Sequence, residues 1–216
     1  MMYKLNTLPT KTRAIFDKLT DSRLSLLDDF YLSGGTGLSL QLGHRQSEDL
    51  DFFCERDFSP ELILSQLKEL AEVSSVEIAQ GTLNVFMGDV KLQFLNYPYK
   101  LLESLQNVKS INISSVLDIA CTKIITISSR GSKKDFVDLY FILKHYSLDM
   151  IFTAIDKKYE KVNFNSGHLI KSLVFFIDAD QQPMPRLIDS ETSWEEMKKS
   201  IQKQVMTYIG EEISPE

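Results

Sequence analysis

The stretch Phe30-Tyr31-Leu32-Ser33-Gly34-Gly35-Thr36 decides the fold. Its apolar start predicts a short strand, the two glycines break that strand, and Thr36 opens a helix that ends at Gly43. A glycine turn at a helix start exposes backbone N–H groups beside the positive end of the helix dipole, and this arrangement holds phosphate. Glycines at such turns also occur for backbone geometry alone.

A pair of aspartates opens the next predicted strand, which runs from Asp49 to Cys54. Because side chains alternate along a strand, Asp49 and Asp51 point to one face. Two adjacent carboxylates repel each other unless a divalent cation or strong donors lie between them, although a solvated strand face is the alternative. Together the turn and the pair predict a site for phosphoryl chemistry, with Mg²⁺ or Mn²⁺ on the aspartates.

The chain divides into two parts near residue 97. Residues 1–97 combine helices with strands at 76–86, which has a possible break at Gly81, and at 90–96. The pattern after residue 97 is helical, with Ser193 as the N-cap of the last helix. Earlier helices are predicted at 11–29 and, with Ser59 and Pro60 at its start, at 59–73. We therefore expect an α+β fold: a mixed sheet with flanking helices in residues 1–97 and a helical domain in residues 98–216.

Composition narrows the possible functions. A net charge of −6 argues against a protein that coats nucleic acid over its whole surface, although a local basic patch is compatible with it. Cys54 and Cys121 match no zinc or CxxC spacing. No apolar run approaches the roughly 20 residues that cross a bilayer, so we expect no membrane partner and a cytoplasmic protein.

Two groups of motifs resemble a known family. Residues 32–36 followed by His44-Arg45-x-Ser47-x-Asp49-Leu50-Asp51-Phe52-Phe53 resemble the first motif of the nucleotidyltransferase superfamily, in the version of the AbiEii/AbiGii-type toxins. Residues 118–123 and 130–140 resemble the later Lys and Lys-Asp-x-x-Asp-Leu motifs of that family. The resemblance covers roughly residues 30 to 143 and implies the nucleotidyltransferase fold.

The resemblance also implies roles for individual residues. It places the triphosphate on residues 33–36 and on Lys123, with Asp135 or Asp138 completing the catalytic site from the following helix. An ion pair between the lysine and the aspartates that pins two helices together is the alternative. Arg45 either touches phosphate or pairs with Asp51 and orders the loop.

The implied reaction transfers a nucleoside monophosphate from a Mg²⁺-bound nucleoside triphosphate to an acceptor hydroxyl, on a transfer-RNA 3′ end or a protein. The implied role is the toxin of a toxin–antitoxin pair or phage-defence system, opposed by a cognate antitoxin, and the helical domain is expected to complete the active-site cleft. Arg130, Lys133 and Lys134 form a basic run that guides a polyanionic acceptor or merely starts a solvated helix.

One position departs from the superfamily pattern. Gln93 stands on the strand where polymerase-like members place a third carboxylate. An amide oxygen coordinates Mg²⁺ without adding negative charge. The alternatives to an active transferase are therefore a degraded module of the same fold that binds nucleotide or a partner, and an interaction protein whose acidic pair is solvated.

Overall fold

A mixed sheet forms the first half of the chain in the computed structural model, which describes residues 3–22 and 25–213. Within those residues seven strands lie in the order β3-β4-β5-β2-β1-β7-β6. They are β1 Tyr31–Leu32, β2 Leu50–Cys54, β3 Val73–Ala79, β4 Thr82–Met87, β5 Val90–Asn96, β6 Gln106–Val108 and β7 Ile111–Ile113. β2 pairs in parallel with β5, β1 pairs in parallel with β7, and the other neighbours are antiparallel.

Helices pack on this sheet as the apolar pattern requires. α1 (Thr10–Asp21), α2 (Gly34–Leu42) and α3 (Pro60–Leu70) contact its strands. Alternate residues of β2, β4 and β5 are fully buried on one face, where Phe52 and Phe94 stack with ring centroids 5.1 Å apart. The opposite face carries Asp51 and Gln93 and is partly exposed, so it is the face available for chemistry.

The second half is helical. It contains α4 (Val116–Arg130), α5 (Lys133–Ile142), α6 (Leu148–Lys158), α7 (Ser166–Ser172), α8 (Ile177–Asp180) and α9 (Trp194–Ile213). α4 contacts α5, α6 and α7, and α9 contacts α5 and α6. The α+β class and the mixed sheet with flanking helices are confirmed.

The boundary between the halves differs from the predicted one. The chain splits into two compact units, Met1–Ser115 and Val116–Glu216, because the hairpin of β6 and β7 extends the sheet beyond residue 97. Lys109 and Ser110 turn this hairpin with positive φ values of 49° and 76°. Such turns usually contain Asn or Gly, so Lys-Ser gave no hairpin signal.

Several predicted element ends need correction. The first helix ends at Asp21 rather than Asp29, since the Ser22 hydroxyl bonds to the Leu19 carbonyl oxygen at 2.9 Å and competes with further helix. Residues 23 and 24, inside that predicted helix, lie outside the described residues. The break predicted at Gly81 in the strand 76–86 is confirmed, because Gly81 turns the chain between β3 and β4 at a φ of +64°.

Two predicted helix starts are confirmed. Ser59 accepts a hydrogen bond from the backbone N–H of Leu62 and is followed by Pro60. At α9 the Ser193 hydroxyl accepts from the N–H of Glu196, whose carboxylate accepts in turn from the N–H of Ser193. This reciprocal pair is a capping box. None of the helices in the described part of the chain combines the length and apolarity needed to cross a bilayer.

Candidate active site

The glycine turn between β1 and α2 lies directly against an aspartate of β2. Gly34 has a φ of +61°, which L side chains rarely adopt, and a Cβ added there would lie 2.5 Å from Asp51 Oδ2. Gly34 is therefore required for two reasons, its backbone conformation and the close approach of the carboxylate.

The first turn of α2 begins at an N-cap residue whose hydroxyl bonds elsewhere. Within the described chain, the N-cap residue Ser33 makes no side-chain capping bond to this helix. Its hydroxyl oxygen instead accepts a bond from Ser114 Oγ at 2.9 Å. The N–H groups of a first helical turn have no acceptor inside their own helix. Gly35 and Thr36 thus present backbone donors at the positive end of the helix dipole.

Two hydrogen bonds tie the glycine turn to the aspartate segment. The backbone N–H of Ser33 donates to the carbonyl oxygen of Asp51 at 2.9 Å. The Thr36 hydroxyl bonds to the carbonyl oxygen of Asp49 and, at 2.8 Å, to Ser47 Oγ. Thr36 is buried, and its side chain serves this connection. The turn and the acidic pair therefore form one hydrogen-bonded unit.

Asp49 and Asp51 are more exposed than the core residues around them. Asp49 immediately precedes β2 and Asp51 lies within it, and both are partly exposed. The residues beside Asp51 on the strand, Leu50 and Phe52, are completely buried. The predicted alternation is thus confirmed, and water or an ion can reach the acidic pair.

Arg45 is buried beside the same turn. A Cβ added at Gly35 would collide with its guanidinium, and its Nη1 donates to the carbonyl oxygen of Gln46 at 2.8 Å. The arginine therefore bonds within its own loop and also places positive charge against the glycine turn. The choice between a phosphate contact and pairing with Asp51 stays a prediction.

Gln93 is the sheet neighbour of Asp51. The parallel pairing of β2 and β5 puts the two residues directly opposite each other. On its other side Gln93 Nε2 donates to Asn84 Oδ1 at 2.9 Å, and Asn84 is its partner in β4. The predicted third-ligand position is therefore next to the acidic pair.

The donor set fits a hard divalent cation. Mg²⁺ prefers oxygen ligands, and carboxylates and amide carbonyls supply them. The absence of a Cβ at Gly34 keeps the space beside Asp51 Oδ2 clear. In the described residues no group of three or more His, Cys, Asp or Glu side chains is placed to hold a metal. A cation here would therefore have Asp49, Asp51 and neutral oxygens as ligands.

The helical unit contains a second acidic cluster, and it is buried. Lys123 Nζ lies 2.7 Å from Asp135 Oδ1 and 2.6 Å from Asp138 Oδ2, and both aspartates are completely buried. Burial raises the pKa of Asp135. The charge of Lys123 and hydrogen bonds from Arg130 and Ser132 outweigh burial, so that pKa falls to about 2. These contacts join α4 to α5, which is the ion-pair alternative that the sequence left open.

The basic run Arg130, Lys133 and Lys134, which extends from the end of α4 into the first turn of α5, does not form one patch. Lys133 is buried and its ammonium lies 5.2 Å from the centre of the Trp194 ring. Arg130 binds Asp135 through Nε at 2.9 Å but remains about half exposed, and Lys134 is exposed. The structure therefore separates Lys133 from the two cations that reach solvent.

A groove of about 380 Å³ lies beside Arg130 within the helical unit. Residues of the α4–α5 turn and of α7 line it, and its cationic or titratable members are Arg130, His168 and Lys171, against a single acid, Asp178. Phe175, also in the lining, is 55% exposed. Positive charge beside an exposed ring suits a polyanion with planar groups.

Sequence reasoning missed several residues that shape the site. Ser47 and Ser114 hold the two ends of the glycine turn. Ser47 is part of the first motif but was given no role there, and Ser114 is not distinguishable from an ordinary loop serine in the sequence. Asn84 was detectable, since it is an amide between Leu83 and Val85 on a strand of otherwise alternating pattern.

The chain matches a protein-family model that spans most of its length. The model describes the nucleotidyl transferase AbiEii toxin of type IV toxin–antitoxin systems and matches residues 17–113 and 82–211. The chain belongs to the AbiEii nucleotidyltransferase toxin family. The predicted resemblance is confirmed, and AbiEii membership agrees with the glycine turn and acidic pair found together on the sheet.

Individual relatives extend this finding. An uncharacterized protein of Aquifex aeolicus (strain VF5) is 36% identical over 192 residues, which cover 86% of this chain and 91% of that protein. The crystal structure of JHP933 from Helicobacter pylori shares the fold, with a TM-score of 0.56, 18% identity and coverage of 94% of each chain. MenT4, a nucleotidyltransferase toxin from Mycobacterium tuberculosis H37Rv, has a TM-score of 0.52 and 14% identity, covering 91% of this chain and 84% of MenT4.

Proposed function

We propose that this AbiEii-family protein transfers a nucleoside monophosphate from a Mg²⁺-bound nucleoside triphosphate to an acceptor hydroxyl and releases pyrophosphate. The observation that supports this most is the close contact between the glycine turn of α2 and the carboxylate of Asp51. A phosphate cradle and a cation site side by side are what such a reaction requires.

Different residues of the sheet unit are proposed to bind the phosphates and the metal ion. Backbone N–H groups of Gly35 and Thr36 bind phosphate oxygens, and Arg45 adds positive charge beside them. Asp49 and Asp51 are the proposed Mg²⁺ ligands, and the bound ion would neutralise phosphate charge and polarise the reacting phosphoryl group. The fixed turn orients the triphosphate for in-line attack, so catalysis comes mainly from positioning and electrostatics.

Lys123, Asp135 and Asp138 have two proposed roles. The family resemblance assigns them to the triphosphate and the catalytic site, with Lys123 offsetting charge on the pyrophosphate. The buried contacts of the lysine with both aspartates favour a role in fixing α4 against α5. Loss of stability in variants of this cluster separates the structural role from the catalytic one.

The groove beside Arg130 is the proposed place of the acceptor. Arg130 and Lys171 would contact phosphates, and Phe175 offers a stacking surface for a base. These features favour a transfer-RNA 3′ end over a protein hydroxyl. We propose that Lys134 assists from the exposed start of α5.

The proposed cellular role follows from the family. As the toxin of a toxin–antitoxin pair, the enzyme would block an acceptor in the cytoplasm, where triphosphates and transfer RNA are found, and a cognate antitoxin would oppose it. Phage defence is one setting in which such a pair would operate.

The test is a search for the adduct. The full chain is incubated with Mg²⁺, each nucleoside triphosphate and bulk RNA or protein, and mass spectrometry detects added nucleotide while pyrophosphate release is measured. We expect an RNA adduct from the wild type and at least a 100-fold slower release from Asp51→Asn and from Asp49→Asn, with unchanged melting temperatures. Activity retained in both folded variants would refute the metal-site assignment.

A binding module without turnover is the second candidate, and Gln93 is the observation that favours it. If the wild type binds triphosphate with Mg²⁺ yet releases no pyrophosphate with any acceptor, while Gln93→Asp does, the module is the correct function. A third carboxylate strengthens the Coulomb attraction for Mg²⁺, so Gln93→Asp is the appropriate variant for this comparison.

A further inference from the structure

A row of four polar side chains crosses the sheet from the acidic pair to the sheet edge. Asp51 on β2 pairs with Gln93 on β5, Gln93 with Asn84 on β4, and Asn84 with Glu77 on β3. β3 is the edge strand and Glu77 is exposed. Neighbouring strands lie about 4.8 Å apart, so the glutamate is roughly 14 Å from Asp51.

Hydrogen bonds along the row run in one direction. Asn84 Nδ2 donates to Glu77 Oε2 at 3.2 Å, and Gln93 Nε2 donates to Asn84 Oδ1 at 2.9 Å. An ionised carboxylate only accepts hydrogen bonds, so Glu77 obliges Asn84 to turn its NH₂ group toward β3. The Asn84 oxygen then faces Gln93 and obliges that amide to turn its own NH₂ group toward β4.

The orientation of the last amide matters for the acidic pair. The oxygen and nitrogen of a planar amide point in different directions from one carbon. With Nε2 of Gln93 directed to β4, its Oε1 is directed to the other side, where β2 and Asp51 lie. An oxygen in this position attracts a cation, whereas an NH₂ group would repel it.

We propose that Gln93 supplies a neutral oxygen ligand to the cation held by Asp49 and Asp51, and that Asn84 and Glu77 are positioning residues that keep this oxygen turned to the ion. This inference rests on the metal site of the proposed function. It makes Gln93, at the third-ligand position, a metal ligand, and it makes Glu77, at the edge of the sheet, a residue that fixes the orientation of that ligand.

Reversing the charge of residue 77, on the edge strand β3, should reverse the direction of the hydrogen bonds along the row. In Glu77→Lys the new ammonium only donates hydrogen bonds, so it favours the Asn84 oxygen facing β3 and the Asn84 NH₂ facing Gln93. The Gln93 oxygen then turns toward β4 and its NH₂ group toward Asp51. Glu77→Gln removes the constraint without imposing the opposite one and should give an intermediate effect.

The measurement is the affinity of the full chain for Mn²⁺ alone, followed by electron paramagnetic resonance of the free ion. We expect Glu77→Lys to weaken Mn²⁺ binding about three- to tenfold. Glu72→Lys is the matched control, because it makes the same charge change at an exposed position just before β3, and it should stay within about twofold of the wild type at 0.15 M salt.

A second background isolates the amide. Gln93→Glu has oxygen at both terminal positions, so its ligand does not depend on the direction of the row. In the Gln93→Glu background, Glu77→Lys should therefore weaken Mn²⁺ binding no more than Glu72→Lys does. Side-chain NMR of Gln93 provides a readout without metal. Its Nε2 proton shifts should change in Glu77→Lys, because their acceptor changes from the amide oxygen of Asn84 to the carboxylate of Asp51.

The outcomes separate the inference from the proposed function. If Asp51→Asn abolished Mn²⁺ binding while substitution of Glu77 left the affinity unchanged, the positioning row would be overturned and the metal site would stand. If Glu77→Lys weakened Mn²⁺ binding equally in the wild-type and Gln93→Glu backgrounds, the positioning row would also be overturned. The effect would then come from the long-range charge of the lysine and not from the orientation of Gln93. A wild type that binds no Mn²⁺, with or without nucleoside triphosphate, would refute both the metal site and this inference.

Discussion

Two pairs of aspartates in this molecule have opposite surroundings. Asp135 and Asp138 in the helical unit are completely buried and share the ammonium of Lys123 at 2.6 to 2.7 Å. Asp49 and Asp51 in the sheet unit are partly exposed and lie beside a glycine turn. Both pairs belong to motifs that the sequence assigns to catalysis, yet only one has the access that a metal and a phosphate require.

The difference teaches how to separate structural from catalytic carboxylates. A buried carboxylate must be paired because its desolvation is costly, and removing its partner destabilises the fold. A partly exposed carboxylate keeps part of its hydration, so replacing it with the amide of the same shape costs the fold little. The four predictions below test this contrast, in order of decreasing effect.

Lys123→Met should give the largest loss of stability. It leaves two buried carboxylates without their shared cation, and we expect unfolding to become easier by about 3–5 kcal/mol. Urea denaturation measures this, with the exposed Lys157→Met as control at no more than about 0.5 kcal/mol. The triple variant Lys123→Met/Asp135→Asn/Asp138→Asn should recover part of the loss. A destabilisation by Asp51→Asn as large as that by Lys123→Met would remove the contrast between the two pairs.

Gly34→Ala should damage both activity and stability. Alanine at a φ of +61° costs about 1–3 kcal/mol, and its Cβ would collide with Asp51 Oδ2. Thermal unfolding and pyrophosphate release are the measurements. Gly88→Ala is the matched control, since Gly88 has a similar φ of +59° but nothing within 4 Å of its added Cβ. If the two variants lost activity equally, the contact with Asp51 would be irrelevant to the site.

Acid should destabilise the helical unit through Asp135. Its pKa in the folded chain is about 2, below the ordinary value of 3.8. A lowered folded pKa gives stability that is present above the unfolded pKa and is lost as the pH falls toward the folded one. We expect about 2 kcal/mol to disappear between pH 4 and pH 2. Denaturation between pH 4 and pH 2 should show a smaller loss of unfolding free energy in the triple variant than in the wild type. Equal losses in the two proteins would contradict the assignment of this loss to Asp135.

Removal of groove charges should weaken acceptor binding, with an added loss of stability from the Arg130 contact with buried Asp135. Each phosphate contact to a single strand contributes about 0.7 to the slope of log affinity against log salt. Arg130→Gln/Lys171→Ser should therefore lower the slope for RNA by about 1.4. The exposed pair Lys157→Ser/Lys161→Ser controls for net charge. The same slope in the wild type and the groove variant would exclude the groove from acceptor binding.

The sheet unit was largely predictable because its signals are local. Gly34 and Gly35 break an apolar strand, and Asp51 alternates with buried Leu50 and Phe52, so turn, strand and acidic pair follow from periodicity. The hairpin of β6 and β7 was missed because Lys109 and Ser110 adopt positive φ without the usual turn residues.

The helical unit was predictable in its elements but less so in its contacts. The sequence predicts that the second half is helical, but apolar spacing cannot tell whether a lysine on such a helix binds a ligand or a neighbouring aspartate. Lys133 illustrates the limit: its place in a basic run suggested a surface role, whereas tertiary packing puts it against Trp194. Which charges meet depends on helix packing, and sequence distance does not encode it.

The hydrogen bonds that join the glycine turn to the aspartate segment fix the proposed phosphate cradle through contacts within the chain itself. The backbone N–H of Ser33 donates to Asp51 and the Thr36 hydroxyl bonds to Asp49, so these bonds hold the backbone of the first turn of α2 in one conformation. A preorganised cradle loses little conformational entropy on binding. Triphosphate affinity in such a site comes mostly from contacts already aligned, and not from a segment that must first become ordered around the ligand.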